Sequence, residues 1–161
     1  MEDSTIITDS ARDFSDILSD GGALLAIDLG TKTLGTATCD AGWQFATANK
    51  TLPRSKFGHD RIALAALIAE RSVKGLVIGL PRNMDGSEGP RAQASRAYAR
   101  NLSEAFELPV LLWDERWSTA SAESAMIGQD FSRKKRAERI DSHAAAIFLQ
   151  GAIDAMAGSV I

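Results

Sequence analysis

Asp28, the pair Asp114-Glu115 and Asp141 are acids whose sequence settings do not look like plain surface charge. Asp28 closes the apolar run Leu24-Leu25-Ala26-Ile27. A carboxylate costs free energy to desolvate unless it is paired or binds a cation. Asp28 is therefore a candidate ligand for a metal ion or phosphate-bound Mg²⁺; the plainer reading is that it starts the turn Leu29-Gly30-Thr31. Asp114 and Glu115 follow the apolar stretch Pro109 to Trp113, at the carboxyl end of an expected strand. The alternative there is an exposed strand end with a local ion pair to Arg116, which contributes little. Asp141 precedes Ala145, Phe148 and Ala152 at i+4, i+7 and i+11, the spacing of an apolar helix face. In Ile140-Asp141-Ser142-His143 it also reads as a helix N-cap.

Ligands gather at the carboxyl ends of parallel strands in open sheets. Three carboxylates brought together there repel and raise one another's pKa. A divalent cation removes that conflict, and an all-oxygen ligand set suits Mg²⁺ or Mn²⁺. Two such ions are the usual device for phosphodiester cleavage. The segment 128–139 reads as a loop with five bases, Arg133, Lys134, Lys135, Arg136 and Arg139. Beside a carboxylate cluster it becomes a phosphate clamp; on its own it is a solvated surface run. Arg116 is placed to touch a phosphate or to orient Glu115. Trp113 and Trp117 are candidates for stacking on bases, although Trp113 alternates within a strand and equally suits the core. His59 and His143 carry no metal-site spacing, and Ser118 and Thr119 read as helix caps.

The elements that must position these groups follow from periodicity and turn residues. Strands are expected at 23–29 and 33–39, then at Trp43 to Thr51 after the turn Asp40-Ala41-Gly42, giving an antiparallel meander. From Asp60 the spacing of Leu64, Leu67, Ile68 and Arg71 is helical. Leu76-Val77-Ile78-Gly79-Leu80 reads as a strand buried on both faces, and Pro81 ends it. The order strand, helix, buried strand predicts a crossover into parallel pairing. A polar loop 81–90 leads to a helix over 91–107 with Ala94, Ala97, Tyr98, Leu102 and Ala105 on one face. Pro109 to Trp113 is the fifth strand. A short helix from Ser118 or Thr119 to Met126 and a last helix from about Asp141 to Met156 complete the chain.

The 161 residues suit one domain. The single cysteine, Cys39, excludes an internal disulfide and a cysteine-rich zinc site. No apolar run approaches the roughly 20 residues that span a bilayer, and no signal-peptide pattern opens the sequence. A cytoplasmic protein without membrane attachment is expected. The net charge of −3 is unevenly placed. Residues 1–22 hold six acids and one base, which leaves 15 acids and 17 bases in residues 23–161. The acidic stretch is expected to be a flexible extension outside the fold, and the slightly basic body suits a nucleic-acid partner.

Four motifs, taken together, resemble the YqgF/RuvX family of pre-16S rRNA nucleases and Holliday junction resolvase-like proteins. They are Ile27-Asp28-Leu29-Gly30-Thr31-Lys32-Thr33-Leu34-Gly35, Gly79-Leu80-Pro81-Arg82-Asn83-Met84-Asp85-Gly86-Ser87, Asp114-Glu115-Arg116-Trp117-Ser118-Thr119, and Ser132 to Arg136 followed by Asp141 and Ala144 to Gly151. Trp117 stands where the family more usually has Leu. The resemblance covers residues 23 to about 156. It implies an α/β, RNase H-like fold with a mixed five-stranded sheet flanked by helices, and a nuclease domain over 23–161. It implies that Asp28, Glu115 (or Asp114) and Asp141 form the catalytic, Mg²⁺- or Mn²⁺-binding cluster. Lys32 and Arg133 to Arg136 then stand as nucleic-acid contacts, with Asp114 and Arg116 as additional candidates.

On that resemblance the leading function is a metal-dependent nuclease in 5′-end maturation of pre-16S rRNA. A four-way DNA junction is the alternative substrate, and a resolvase acting on one needs two active sites and so a homodimer. Two other classes compete. Asp28-Leu29-Gly30-Thr31-Lys32-Thr33 also looks like the first phosphate loop of actin- and hexokinase-type ATP-binding proteins, but the chain has room for one such domain and no second phosphate loop. A non-catalytic nucleic-acid-binding module is the other, and the retained acids argue against it.

Overall fold

The computed structural model describes residues 6–117 and 133–158. Along the chain run β1 (Ile7–Thr8), α1 (Ala11–Ile17), β2 (Ala23–Leu29), β3 (Thr33–Cys39), β4 (Thr47–Ala48), β5 (Leu52–Pro53), α2 (Phe57–Arg71), β6 (Val73–Leu80), α3 (Pro90–Phe106) and β7 (Val110–Asp114). A single 3-10 turn, Glu115–Trp117, follows, and the last helix, α4, spans Arg133–Gly158. The mixed sheet has the order β1-β7-β6-β2-β3-β4, with β5 also paired to β3. Strands β1, β7, β6 and β2 are mutually parallel, whereas β3 runs antiparallel to β2.

Alternation along the strands sorts the side chains into two cores. Leu25, Ile27 and Leu29 of β2 face one side with Leu76, Ile78 and Leu80 of β6, beneath Leu64 of α2 and Tyr98 and Leu102 of α3. Leu24 and Ala26 face the other with Val77 and Leu111, beneath Ala145, Leu149, Ala152 and Met156 of α4. The sheet is therefore buried on both faces, as its near-continuous apolar strands require. Helix α3 begins with Pro90 at its first position after Gly89, where the missing N–H costs nothing. Its buried face is Ala92, Ser95, Tyr98, Ala99, Leu102 and Ser103, rotated from the expected one, so that Ala94 is exposed.

Three expectations are corrected. The acidic N-terminal stretch does not lie outside the fold over residues 6–18. Ile7 pairs with Val110, the Val110 N–H donates to Ile6 O, and Phe14 is fully buried in the α4-side core. Burying one Phe contributes about 1.5–3 kcal/mol, and α1, capped by Ser10, docks Phe14 while Asp13 and Asp16 stay exposed and keep their hydration. Secondly, the expected strand from Trp43 to Thr51 reduces to β4, β5 follows just beyond it, and with β1 the described residues form seven strands instead of five. The Gln150 side chain takes the Ala46 N–H and Gln44 carbonyl, which diverts that backbone from β3 to α4. Thirdly, residues 133–139 are helical: α4 starts eight residues before Asp141, so Asp141 is inside the helix and is not its N-cap.

Candidate active site

The carboxyl ends of β2, β6 and β7 lie level. Ile27 pairs with Ile78, which pairs with Leu112, so one residue further along, Asp28, Gly79 and Trp113 form a row. Asp28 shares the parity of Leu24 and Ala26, and Gly79 that of Val77, so both positions belong to the α4 face. Glu115 reaches the same place from β7. A Cβ built on Gly79 would stand 2.6 Å from Glu115 Oε2 and 2.7 Å from Phe148 Cε2. The Glu115 carboxylate therefore occupies the space that the missing side chain of Gly79 leaves, one strand, about 4.8 Å, across from β2 and Asp28. Asp28 itself is half-buried.

Burial raises the pKa of Glu115 above 4.5, and the negative charge of Asp114 adds to this, while the Arg91 guanidinium works against it. A raised folded pKa means that wild-type stability falls as pH rises through that value. In metal-free buffer, Glu115→Gln is expected to raise the Tm at pH 7, and the gain should vanish below pH 4.5, where Glu115 is protonated in both states. Thermal melts in EDTA across that range check it; a destabilised variant would show that the Glu115 charge is compensated by the fold itself.

The neighbouring acid has a different environment. Asp114 has the opposite parity to Trp113 and lines a cavity of about 150 Å³ with Asp9, Leu80 and Arg82. It accepts from Arg116 Nε (3.1 and 3.0 Å), Nη2 (2.7 Å) and the backbone N–H (3.0 Å). Burial alone would raise its pKa, but these bonds, with the charges of Arg116 and Arg82, hold it below 3.8. Arg116 also donates from Nη1 to the Met84 carbonyl (3.4 Å). It thus braces the 83–87 loop as well as Asp114. Arg82, which no local sequence signal marks out, faces Glu88, Asp9 and Asp114 at 3.4, 3.7 and 3.8 Å. Glu88 is in turn gripped at both oxygens by Arg96 (2.6 Å each).

The β2–β3 turn is closed by the Gly30 N–H on Thr33 O (2.9 Å), and a Cβ on Gly30 would lie 3.0 Å from that oxygen. Glycine is needed there for close approach. Lys32 is exposed on this turn. Arg54 Nη1 donates to Gly30 O (2.6 Å), and its N–H to Lys32 O, so the turn after Asp28 is held from outside. Arg54 is itself placed by a buried acid, Asp60, which accepts from the Ser55 N–H (2.7 Å) and the Tyr98 hydroxyl (3.1 Å). Burial, then the Asp60 charge, raises the Tyr98 pKa. An acid in the first turn of a helix is a common surface choice, and nothing in the local sequence separates Asp60 from that pattern. Arg54 and Arg91 meet across a cavity of about 180 Å³ beside Gly30 and Thr31.

Asp141 occupies α4 one turn before Ala145, whose side chain packs on the sheet. The side chains of Asp141 and of Arg133, Lys134, Lys135 and Arg136 lie outside those described, as do Trp117's side chain and the expected helix from Ser118 or Thr119 to Met126. Among the described residues no three acids, histidines or cysteines converge as a metal cluster. Ser142 shares a short hydrogen bond with Thr51, which ties α4 to the β5 side of the sheet directly after Asp141. Trp113 packs partly buried in the α4-side core, against Gly151, which favours the core reading over base stacking. Cys39 is buried, which pushes its thiol up to about 11.

Comparison with known proteins gives a consistent answer. Residues 22–155 match the RuvX family, described as Holliday junction resolvase. The chain is 64% identical over 154 residues to a "Putative pre-16S rRNA nuclease" of Novosphingobium aromaticivorans, covering 96% of this chain and 99% of that one. It is 62% identical over 151 residues to a protein of the same name from Sphingopyxis alaskensis, covering 94% and 99%. Among solved structures, Thermus thermophilus RuvC superposes with a TM-score of 0.53 at 13% identity, covering 85% of this chain and 97% of that one. The yeast mitochondrial Holliday junction resolvase Ydc2 gives 0.50 at 13% identity, with 98% and 83% covered. These two likenesses establish the RuvC-like, RNase H-like fold. With the family match spanning nearly the whole chain and relatives above 60% identity, the protein belongs to the RuvX family.

Proposed function

We propose that this protein is a divalent-metal-dependent nuclease that acts in 5′-end processing of pre-16S rRNA in the cytoplasm, with Asp28, Glu115 and Asp141 as its catalytic and metal-holding acids. The observation that carries the reading is the placement of Asp28 and Glu115 on one face of the sheet, across the gap at Gly79. Family membership supports a phosphodiester hydrolase acting on nucleic acid, and the relatives' name, "Putative pre-16S rRNA nuclease", is the support for pre-16S rRNA as the substrate. No helix of the described residues is long and apolar enough to cross a membrane.

The donor set fits a hard cation. Glu115 is a desolvated carboxylate whose burial disfavours its charge, and all-oxygen ligands select Mg²⁺ or Mn²⁺ over softer metals. When bound, such an ion supplies Lewis-acid stabilisation of phosphoryl charge and activates water for attack. The chain's own residues do the rest. Gly79 leaves space for Glu115, the Arg54 bond to Gly30 fixes the turn after Asp28, and Arg116 orients Asp114 and the 83–87 loop. Asp114 and Arg116 are positioning groups in this scheme. Lys32 and the row Arg133, Lys134, Lys135 and Arg136 supply phosphate contacts.

Incubating the full chain with a 5′-extended 16S precursor RNA and, separately, with a synthetic four-way DNA junction tests the proposal. The RNA is expected to be cut in Mg²⁺ or Mn²⁺ and left intact in EDTA. Failure to cut either substrate at enzyme excess rejects a nuclease. Cutting of the junction alone assigns the alternative, the activity named in the family's description, which would require two copies of the chain.

Replacing Arg133, Lys134, Lys135 and Arg136 by Gln is expected to weaken RNA binding and to flatten the log K against log salt line. The slope should fall by about 0.7 for each single-strand phosphate that the row no longer neutralises. An unchanged slope removes that row from the binding surface.

A further inference from the structure

Met84 is an apolar side chain at 91% exposure, the highest among the exposed large apolar residues of the described chain. Single exposed apolar residues are ordinary on a protein surface, so the setting decides whether this one has a use. The loop that carries it is braced in an unusual degree for a surface loop. The Asn83 N–H donates to Ser87 O (2.8 Å) and the Gly86 N–H to Asn83 O (2.9 Å). Ser87 Oγ donates to Asp85 Oδ1 (2.6 Å), and Asn83 Nδ2 to Ser87 Oγ (3.0 Å). Arg116, the residue after Glu115, reaches over to the Met84 carbonyl. The tip is thereby fixed at the carboxyl end of β6, the end that carries Asp28 and Glu115. Phe45, also exposed, lines a groove with Gly22, Ala23 and Lys74 near the other end of β2. Arg82 at the base of the loop is taken up by Glu88, Asp9 and Asp114, but Arg91, just beyond the loop, faces Arg54 across the cavity beside Gly30 and Thr31.

Cations near an active site attract phosphates, but the strand that those phosphates carry also presents flat apolar base faces. The braced backbone needs no further ordering when a base arrives, so the cost is that of the Met84 side chain's own rotamers, and apolar side chains, Met among them, serve as wedges between base steps in other nucleic-acid complexes. We propose that Met84 packs against the face of a nucleobase of the strand being cut and so sets its register over the carboxylates. The inference rests on the nuclease reading above.

The probe is a short RNA duplex with a single-stranded 5′ extension, carrying 2-aminopurine at successive positions, bound by the full chain in Ca²⁺. One position is expected to change its fluorescence with the wild type and to lose that change with Met84→Ala. The variant should bind about 10-fold more weakly with an unaltered salt slope, and Met84→Leu should restore both signals. RNA binding and fluorescence indifferent to Met84→Ala overturn the contact while leaving the nuclease reading in place. Conversion of a wild-type dimer to monomer by Met84→Ala, seen in sedimentation, assigns the side chain to a second copy and also overturns it. Absence of any RNA binding by the wild type overturns the contact and the RNA-nuclease reading together.

Discussion

Asp28→Asn is expected to abolish cleavage, lowering the rate by at least ~10³-fold, or roughly 4 kcal/mol of transition-state stabilisation. The substitution is isosteric and removes only the charge. Asp28 is half-buried at the end of β2, between the paired strands β3 and β6, and its neighbours Ile27 and Leu29 keep their core contacts. The circular dichroism spectrum should therefore be unchanged and RNA binding largely retained, because the phosphate contacts come from elsewhere. Loss of activity with folding and binding intact separates a chemical role from a structural one. Full activity in the variant would remove Asp28 from the mechanism.

Gly79→Ala is expected to have the second largest effect, although it adds one methyl group and touches no acid by substitution. The new Cβ would meet Glu115 Oε2 at 2.6 Å and the Phe148 ring at 2.7 Å. The carboxylate is the end of a flexible chain and yields first; the ring lies in packed core and yields less. Displacement of about 1 Å at a catalytic group costs on the order of 10²-fold in rate, whereas overpacking of this kind costs about 1–3 kcal/mol of stability. A fall of about 100-fold in kcat in a variant that still melts cooperatively is the expected result. If activity is unchanged, Glu115 acts from a different position. Glu115→Ala should cost less in the Gly79→Ala background than in the wild type, since both changes act on the same carboxylate.

The elements that position the site were legible where their signals are local. The two apolar runs around Gly30-Thr31-Lys32 give β2 and β3 at their observed limits, 23–29 and 33–39. Turn chemistry and apolar runs suffice for a hairpin. Which acid of the Asp114-Glu115 pair turns toward Asp28's face was not legible, because adjacent residues at a strand end look alike until the register with β6 is known. Asp60, Arg54 and Arg82 escaped notice for a related reason. Asp60 and Arg54 find Tyr98 and Gly30, and Arg82 finds Asp9 and Asp114 as well as nearby Glu88, and a charged residue has no periodic signature that distinguishes a distant partner from water. The start of α4 failed differently. Arg133 to Arg136 read as a charged loop, yet Lys and Arg are good helix formers, and composition concealed a helix that hydrophobic periodicity alone could not find.

The pairing of β1 with β7 has a consequence for how the chain reaches its native state. Ile7 meets Val110, so closing that contact brings together segments roughly a hundred residues apart, an entropic cost that only long-range packing recovers. During synthesis β1 and α1 must wait until β7 exists, with Ile6, Ile7, Phe14 and Ile17 lacking their eventual neighbours. The acids Asp9, Asp13, Asp16 and Asp20 are interspersed among those apolar residues. Charges so placed are the pattern that keeps an apolar segment solvated while it is undocked. Once docked, the same segment covers the backbone edge of β7 that would otherwise template association between chains. The acidity that made this stretch look extraneous to the fold is thus compatible with a segment that docks only after β7 is made.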